Sequence, residues 1–284
     1  MTARPSVRVR WLARDPRSRD VDRRRARSVA RAVAEEYARR GARAVVLGGS
    51  WARGDAHRES DLDLWVFGLR SRHEVLWRPP FMVTVNRTTE GVERRRLRTP
   101  PFLGGAVPGW RVAVPLVDLD GVARRLKDEA RRFRWASVAP SCDRWAAEAV
   151  VGWAEEAIKL VRALATRNDA TAAVQRNLLA EGLGFVMAIR RRRFWDSENE
   201  SWERIGRSVG GTWAAAQRAA LGIPAARLED GCRAALRLYV LTAGALLPVL
   251  DAEQRAIVEH AIGAIGGPPP GRSRPGPARS TRSP

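Results

Sequence analysis

At 284 residues the chain is long enough for one large domain or two modest ones with a full core. Its 51 Lys and Arg outweigh 31 Asp and Glu, for a net charge of +20; residues 1–20 (six Arg, two Asp) and 267–284 (four Arg, no acid) carry +4 each, which leaves +12 on the body. That balance suits polyphosphate or nucleic acid as a partner, while two isolated cysteines, Cys142 and Cys232, exclude a disulfide framework or a Cys-based metal site and fit the reducing cytoplasm.

Residues 1–20 read as a disordered basic tail without an apolar signal core. Asp22 to Arg40 has Val29, Val33 and Tyr37 at helical spacing, and Gly41 stops the helix. Ala42 to Leu47 reads as a short buried strand, because Val45, Val46 and Leu47 are apolar and β-prone. Gly48-Gly49 then permits a tight turn and a close backbone approach to a bulky anion. Ser50 is placed to cap a short helix whose free amides favour phosphate. After the turn Arg53-Gly54-Asp55, residues 61–67 predict a second strand, 81–86 a third, and 89–96 a short basic helix. Residues 99–109 read as a Pro- and Gly-rich loop, 111–117 as a strand that Pro115 places at an edge, and 122–134 as a helix.

From Ser141 onward the pattern is helical, over 145–165, 171–193, 202–209, 213–221, 225–247 and 251–265. Residues 267–284 are rich in Pro, Gly, Ser and Arg and read as disordered. The longest apolar stretch, Tyr239 to Leu250, is broken by Thr242, Gly244 and Pro248 and is too short to span a membrane. The fold class expected is α+β: a small mixed-sheet domain over 21–138, then an all-α helical bundle over 139–266.

Asp61-Leu62-Asp63 carries the chemistry. Strand side chains alternate, so Asp61 and Asp63 share one face while Leu62, Leu64 and Val66 share the other. Two such carboxylates, about 6.5 Å apart, repel by about 2.5 kcal/mol at an effective dielectric near 20. A divalent cation turns that repulsion into binding, and Mg²⁺ or Mn²⁺ takes oxygen ligands while keeping a face for substrate phosphates.

Gly49-Ser50, ten residues, then Asp61-x-Asp63 resembles the core motif of the nucleotidyltransferase superfamily that includes DNA polymerase beta. The likeness is closest to the branch of kanamycin-nucleotidyltransferase-like enzymes and spans roughly residues 25–165. In that branch a third carboxylate lies on a strand reading Val-Glu-Val-Asn, where this chain has Val83-Thr84-Val85-Asn86. A later Pro-x-x-Asp resembles Pro115 to Asp118, and a helical Glu-x-x-x-Lys resembles Glu155 and Lys159. The resemblance implies a nucleotidyltransferase domain followed by the helical bundle, with Mg²⁺ or Mn²⁺ on Asp61 and Asp63. It implies ATP or another nucleoside triphosphate as substrate, Lys159 at a phosphate, Glu155 as the base, and a homodimer; the turn itself sets the amides of Gly49 and Ser50, and Arg53 beside them, to meet the triphosphate.

The activity expected is transfer of a nucleoside monophosphate, AMP from ATP, to a hydroxyl of a small molecule such as an aminoglycoside-like antibiotic. The alternatives are a protein or RNA hydroxyl as acceptor, or a non-catalytic nucleotide binder, since Thr84 adds no charge where the family has an acid. Asp118 and Asp120 read as caps of the following helix. Arg190 to Arg193 reads as a cationic helix end. His57, His73 and His260 stand isolated, without ligand spacing.

Overall fold

The computed structural model describes residues 18–225 and 227–266. Of the tails expected at 1–20 and 267–284, residues 1–17 and 267–284 lie outside the described residues, while Ser18–Asp20, expected in the tail, are helical and open the first helix, α1 (Ser18–Arg39). The chain divides into two compact units. One runs through Glu93 and resumes over Gly109–Asp128; the other takes Arg94–Pro108 and everything described from Glu129 on.

The elements of the first part follow in the order β1 (Ala44–Leu47), α2 (Gly49–Arg53), β2 (Leu62–Phe67), β3 (Arg72–Arg78), β4 (Phe81–Thr88), α3 (Glu90–Arg96), α4 (Leu103–Val112), β5 (Val114–Asp118) and α5 (Val122–Arg132). The five strands form one mixed sheet in the order β3-β4-β2-β1-β5. Strands β2 and β4 are parallel, and the other pairs are antiparallel. One face is covered by α1. Ala30, Val33 and Tyr37 close over Val45, Leu62, Leu64, Val66, Val83 and Val85, all buried. This is the apolar set that alternation assigns to one side, and its burial forces Asp63 to the other. Pro115 lies on the edge strand β5, where its missing N–H costs no ladder bond to a further strand.

Two elements depart from the sequence reading. β3 has the sequence RHEVLWR, a polar run Arg72-His73-Glu74 followed by the apolar run Val75-Leu76-Trp77, with no period-2 alternation to mark a buried face. It forms because it pairs along its whole length with β4. The loop expected at 99–109 is instead largely helix α4. Its glycines serve packing: a Cβ on Gly104 would come within 2.0 Å of the Trp195 ring, and the Trp195 amide donates to the Gly104 carbonyl (3.0 Å).

The second unit is helical, with α6 (Ala139–Ala165), α7 (Asp169–Arg190), α8 (Glu198–Val209), α9 (Gly211–Ala220), α10 (Leu228–Leu246) and α11 (Ala252–Gly266). Its core includes Cys142, Val150, Leu160, Leu179, Leu183, Leu238 and Tyr239. Asn168 caps α7 by accepting from the Thr171 amide (3.1 Å). Trp153 lies against Gly182, where a Cβ would meet it at 2.0 Å. The segment Leu228–Val249 is long and apolar enough to cross a membrane by length and composition. Within the bundle it packs on α7, α9 and α6 and buries Cys232, Leu238, Tyr239 and Leu246.

Candidate active site

β1 ends at Leu47 and the chain turns through Gly48 and Gly49. Gly48 is extended, and its amide donates to the Asp63 carbonyl (2.8 Å), which ties the turn to β2. Gly49 has a φ of 61°, in the left-handed region. A Cβ there would stand 1.9 Å from Asp63 Oδ2, and one on Gly48 would stand 2.9 Å from the Trp65 ring. Both glycines are therefore demanded by the side chains of β2, so that backbone and acid meet without an intervening atom.

Ser50 is not the cap expected from the sequence. The cap position belongs to Gly48, and Ser50 is the second residue of α2, because the helix begins as soon as Gly49 has turned. The Ser50 carbonyl accepts from the Gly54 and Asp55 amides (2.9 and 3.2 Å) and closes the turn. Trp51 Nε1 donates to the Ser60 carbonyl (3.2 Å), which ties α2 to the residues leading into β2.

Asp61 stands one residue before β2 and Asp63 lies within it. Thr84 pairs with Asp63 across the parallel ladder, and its hydroxyl donates to Asp61 Oδ2 (2.9 Å). All three side chains thus share the face away from α1. Burial, and then the charge of Asp61, push the Asp63 carboxyl up to about 6, while Arg53 pulls the other way. Arg53 is also paired with Asp55 (3.1 Å), so it offsets only part of the negative charge. Two adjoining carboxylates and a hydroxyl form a hard oxygen set, which suits Mg²⁺ or Mn²⁺. Among the described residues no group of three or more His, Cys, Asp or Glu is placed to hold a metal, so further oxygens would come from substrate phosphate and water.

The remaining residues singled out in the sequence stand on other elements. Glu155 and Lys159 stand on α6 in the helical unit. Lys159 pairs with Glu155 (2.8 Å) and Glu156 (3.0 Å), with side chains of Lys159 and Glu155 44% and 72% exposed. Asp118 accepts from the Ala123 and Arg124 amides (3.0 and 3.1 Å) and, with Asp120, caps α5. Arg190 and Arg192 both pair with Asp143 (2.9 and 2.8 Å). His73 bonds Asn86 (2.7 Å).

One supporting group escaped the sequence reading. The Trp65 ring, which faces Gly48, stacks on Trp110 (4.9 Å between centroids). Trp110 Nε1 donates to buried Glu93 (3.2 Å), as does the Thr88 hydroxyl (3.1 Å). A Glu enclosed to this degree and bonded twice holds Trp110, and through it Trp65, against the glycine turn. Nothing local in the sequence marks the connection, since its members are 17 to 45 residues apart or sit on different elements.

The family model of the nucleotidyltransferase domain matches residues 27–102, which hold the latter part of α1, the glycine turn, both acids and Thr84. This supports the superfamily for that segment. No curated protein matches the chain significantly. Among solved structures, a nucleotidyltransferase-like protein from Exiguobacterium sibiricum is similar, with a TM-score of 0.46 and 13% identity, over 84% of this chain and 77% of that one.

Proposed function

We propose that the protein is a metal-dependent nucleotidyltransferase that moves a nucleoside monophosphate, AMP from ATP, to a hydroxyl of a small molecule. One observation carries this reading: Asp63 is pressed against Gly49 beside Asp61, with its proton affinity raised by burial and by a neighbour of like charge. A site that stores repulsion in this way is built for a cation. Asp61 and Asp63 would hold Mg²⁺ or Mn²⁺, which would supply positive charge to the phosphate oxygens.

The chain's own residues do the rest. Gly48 and Gly49 let the triphosphate approach the backbone, and Ser50 and Arg53 flank it. The acceptor oxygen attacks the α-phosphorus, the bond from the α-phosphorus to the bridging oxygen breaks, and pyrophosphate leaves with its electron pair. The acceptor proton passes to a carboxylate. The resemblance names Glu155 for that role, and Lys159 for a phosphate contact, and both assignments rest on it alone. It also supports a homodimer, which sedimentation measures.

The test is to incubate the protein with labelled ATP, Mg²⁺ and a panel of acceptors, including an aminoglycoside, hydroxyl-bearing proteins and RNA ends. Pyrophosphate release that depends on one acceptor class supports the reading, and none with any class sinks it. A second reading, nucleotide binding without transfer, is favoured by the Thr84 hydroxyl standing in register with Asp63. Calorimetry that finds ATP bound while no pyrophosphate appears would select it.

A further inference from the structure

The sheet face that carries Asp61 and Asp63 does not end at Thr84. Across β2, β4 and β3 the register runs Asp63, Thr84, Val75, and Met82 of β4 stands opposite Trp77 of β3. Residues paired across a ladder share a face, and so do residues two apart on one strand. The Thr84 hydroxyl reaches Asp61, so Val75, Trp77 and Met82 lie on the acids' side. Phe81, Val83 and Val85 alternate with them and are buried in the core beneath. Val75, Trp77 and Met82 are 56%, 64% and 49% exposed. With strands about 4.8 Å apart, Met82 on β4 lies about 5 Å from the strand that carries the acids, and Val75 and Trp77 on β3 about 10 Å from it.

The direction of the reaction says which substrate meets the row. Gly49 approaches Asp63 from the β1 side, and that is where the phosphates are placed above. In displacement at phosphorus the attacking and leaving oxygens stand in line, on opposite sides. Pyrophosphate leaving over β1 and α2 therefore puts the attacking hydroxyl over β4 and β3. That flank presents Thr84, Val75, Met82 and Trp77, with the bonded pair His73 and Asn86 further along, and none of these side chains is an acid. A polycation would find no carboxylate there beyond the two acids already engaged. A flat uncharged ring would find an indole to stack on and a thioether that conforms to it.

We propose that Val75, Trp77 and Met82 form the acceptor shelf of this site, and that the acceptor is an uncharged molecule with a planar aromatic body bearing the hydroxyl. The proposal rests on the nucleotidyl-transfer reading. Its atoms balance as before: the ring-borne hydroxyl oxygen bonds the α-phosphorus, its proton goes to the base, and pyrophosphate leaves.

The test has a binding arm and a turnover arm, both on the full chain. Calorimetry with 2-naphthol as the probe reads the shelf without nucleotide. Pyrophosphate release from ATP and Mg²⁺ compares a panel of aromatic alcohols and phenols with a polycationic aminosugar. The expected result is 2-naphthol binding that weakens about tenfold in Trp77→Ala, the loss of one stacked ring. Transfer should go to aromatic hydroxyls, with acceptor KM up about tenfold in Trp77→Ala and about threefold in Met82→Gln, and kcat within about twofold. Transfer to the aminosugar, or to any acceptor with KM unchanged in both variants, would overturn the shelf and leave the transfer reading standing. No transfer to any acceptor while 2-naphthol still binds through Trp77 would overturn the transfer reading, and with it the acceptor assignment. A dimer that dissociates in Trp77→Ala, with no 2-naphthol bound, would give the row to a second copy of the chain and overturn the proposal.

Discussion

Asp61 with Asp63, and Glu155 with Lys159, are two charged pairs at close spacing in the sequence, and the structure treats them in opposite ways. Lys159 is satisfied twice over by Glu155 and Glu156, on an exposed stripe of α6. Its proton is held more tightly through hydrogen bonds to those two acids. In that pair opposite charges already offset each other. Asp61 and Asp63 are half-buried like charges on one sheet face, with Arg53 as a partial offset. Here the fold holds an electrostatic cost that a bound cation would remove. A spacing pattern alone weighs the two pairs alike; burial and partner charge separate them.

The contrast can be broken most directly at the acids. Asp61→Asn and Asp63→Asn should each lower kcat for nucleotidyl transfer by at least about a thousandfold, the loss of a charge that stabilises the transition state. The same changes should raise apo stability. The folded Asp63 carboxyl binds its proton more tightly than an unfolded one, with its value moved from 3.8 to about 6. The stability this lends is full below pH 3.8 and is lost as pH rises through about 6. By linkage the metal-free protein should lose up to about 3 kcal/mol from this group between pH 4 and 7. Thermal melts across pH in EDTA should show that slope in the wild type and not in Asp63→Asn. A wild-type rate in either variant would remove the acids from the site.

Gly49→Ala sharpens the comparison by separating fold from chemistry. Its φ of 61° costs a β-carbon about 1 kcal/mol. The new atom would also overlap Asp63 Oδ2, so the carboxylate must rotate away. Activity should fall about a hundredfold or more, the scale of a misplaced reacting group, with only that modest loss of stability. Parallel kinetics and denaturant titration test it, and an active Gly49→Ala enzyme would mean that the close approach is incidental.

Thr84→Asp places a third carboxylate beside Asp61, where the hydroxyl now donates. Mg²⁺ or Mn²⁺ affinity should rise about tenfold, and apo stability should drop by about 1–2 kcal/mol through added like charge. Calorimetric metal titration and melts without metal read the two halves, and no change in either would place Thr84 outside the cation's reach.

The smallest effect is expected at the helical pair. Lys159→Met should leave Tm without a measurable shift, since exposed i, i+4 pairs contribute little. Lys159→Arg is the informative variant. If Lys159 meets phosphate, KM for ATP should rise about tenfold more than in Lys127→Arg. Lys127 donates instead to the Ala113 carbonyl. Equal kinetics in both variants would return Glu155 and Lys159 to an ordinary surface pair.

The sequence by itself determined the α+β class, four of the five strands, the long helices and the Gly-Gly turn leading to a two-acid strand. These follow from period-2 and period-3.6 patterns and from glycine chemistry, which act over a few residues. Only the tertiary structure decided that Gly48, not Ser50, occupies the cap position, because that depends on where the helix starts relative to Asp63. It turned the Gly-rich stretch at 103–112 into a helix, since Trp195, about ninety residues on, needs the space those glycines leave. It added β3, whose polar block followed by an apolar block marks no buried face until β4 supplies a ladder. And it set Val75, Trp77 and Met82 beside the acids, which no local pattern contains, because their neighbours come from register across three strands and not from the chain itself.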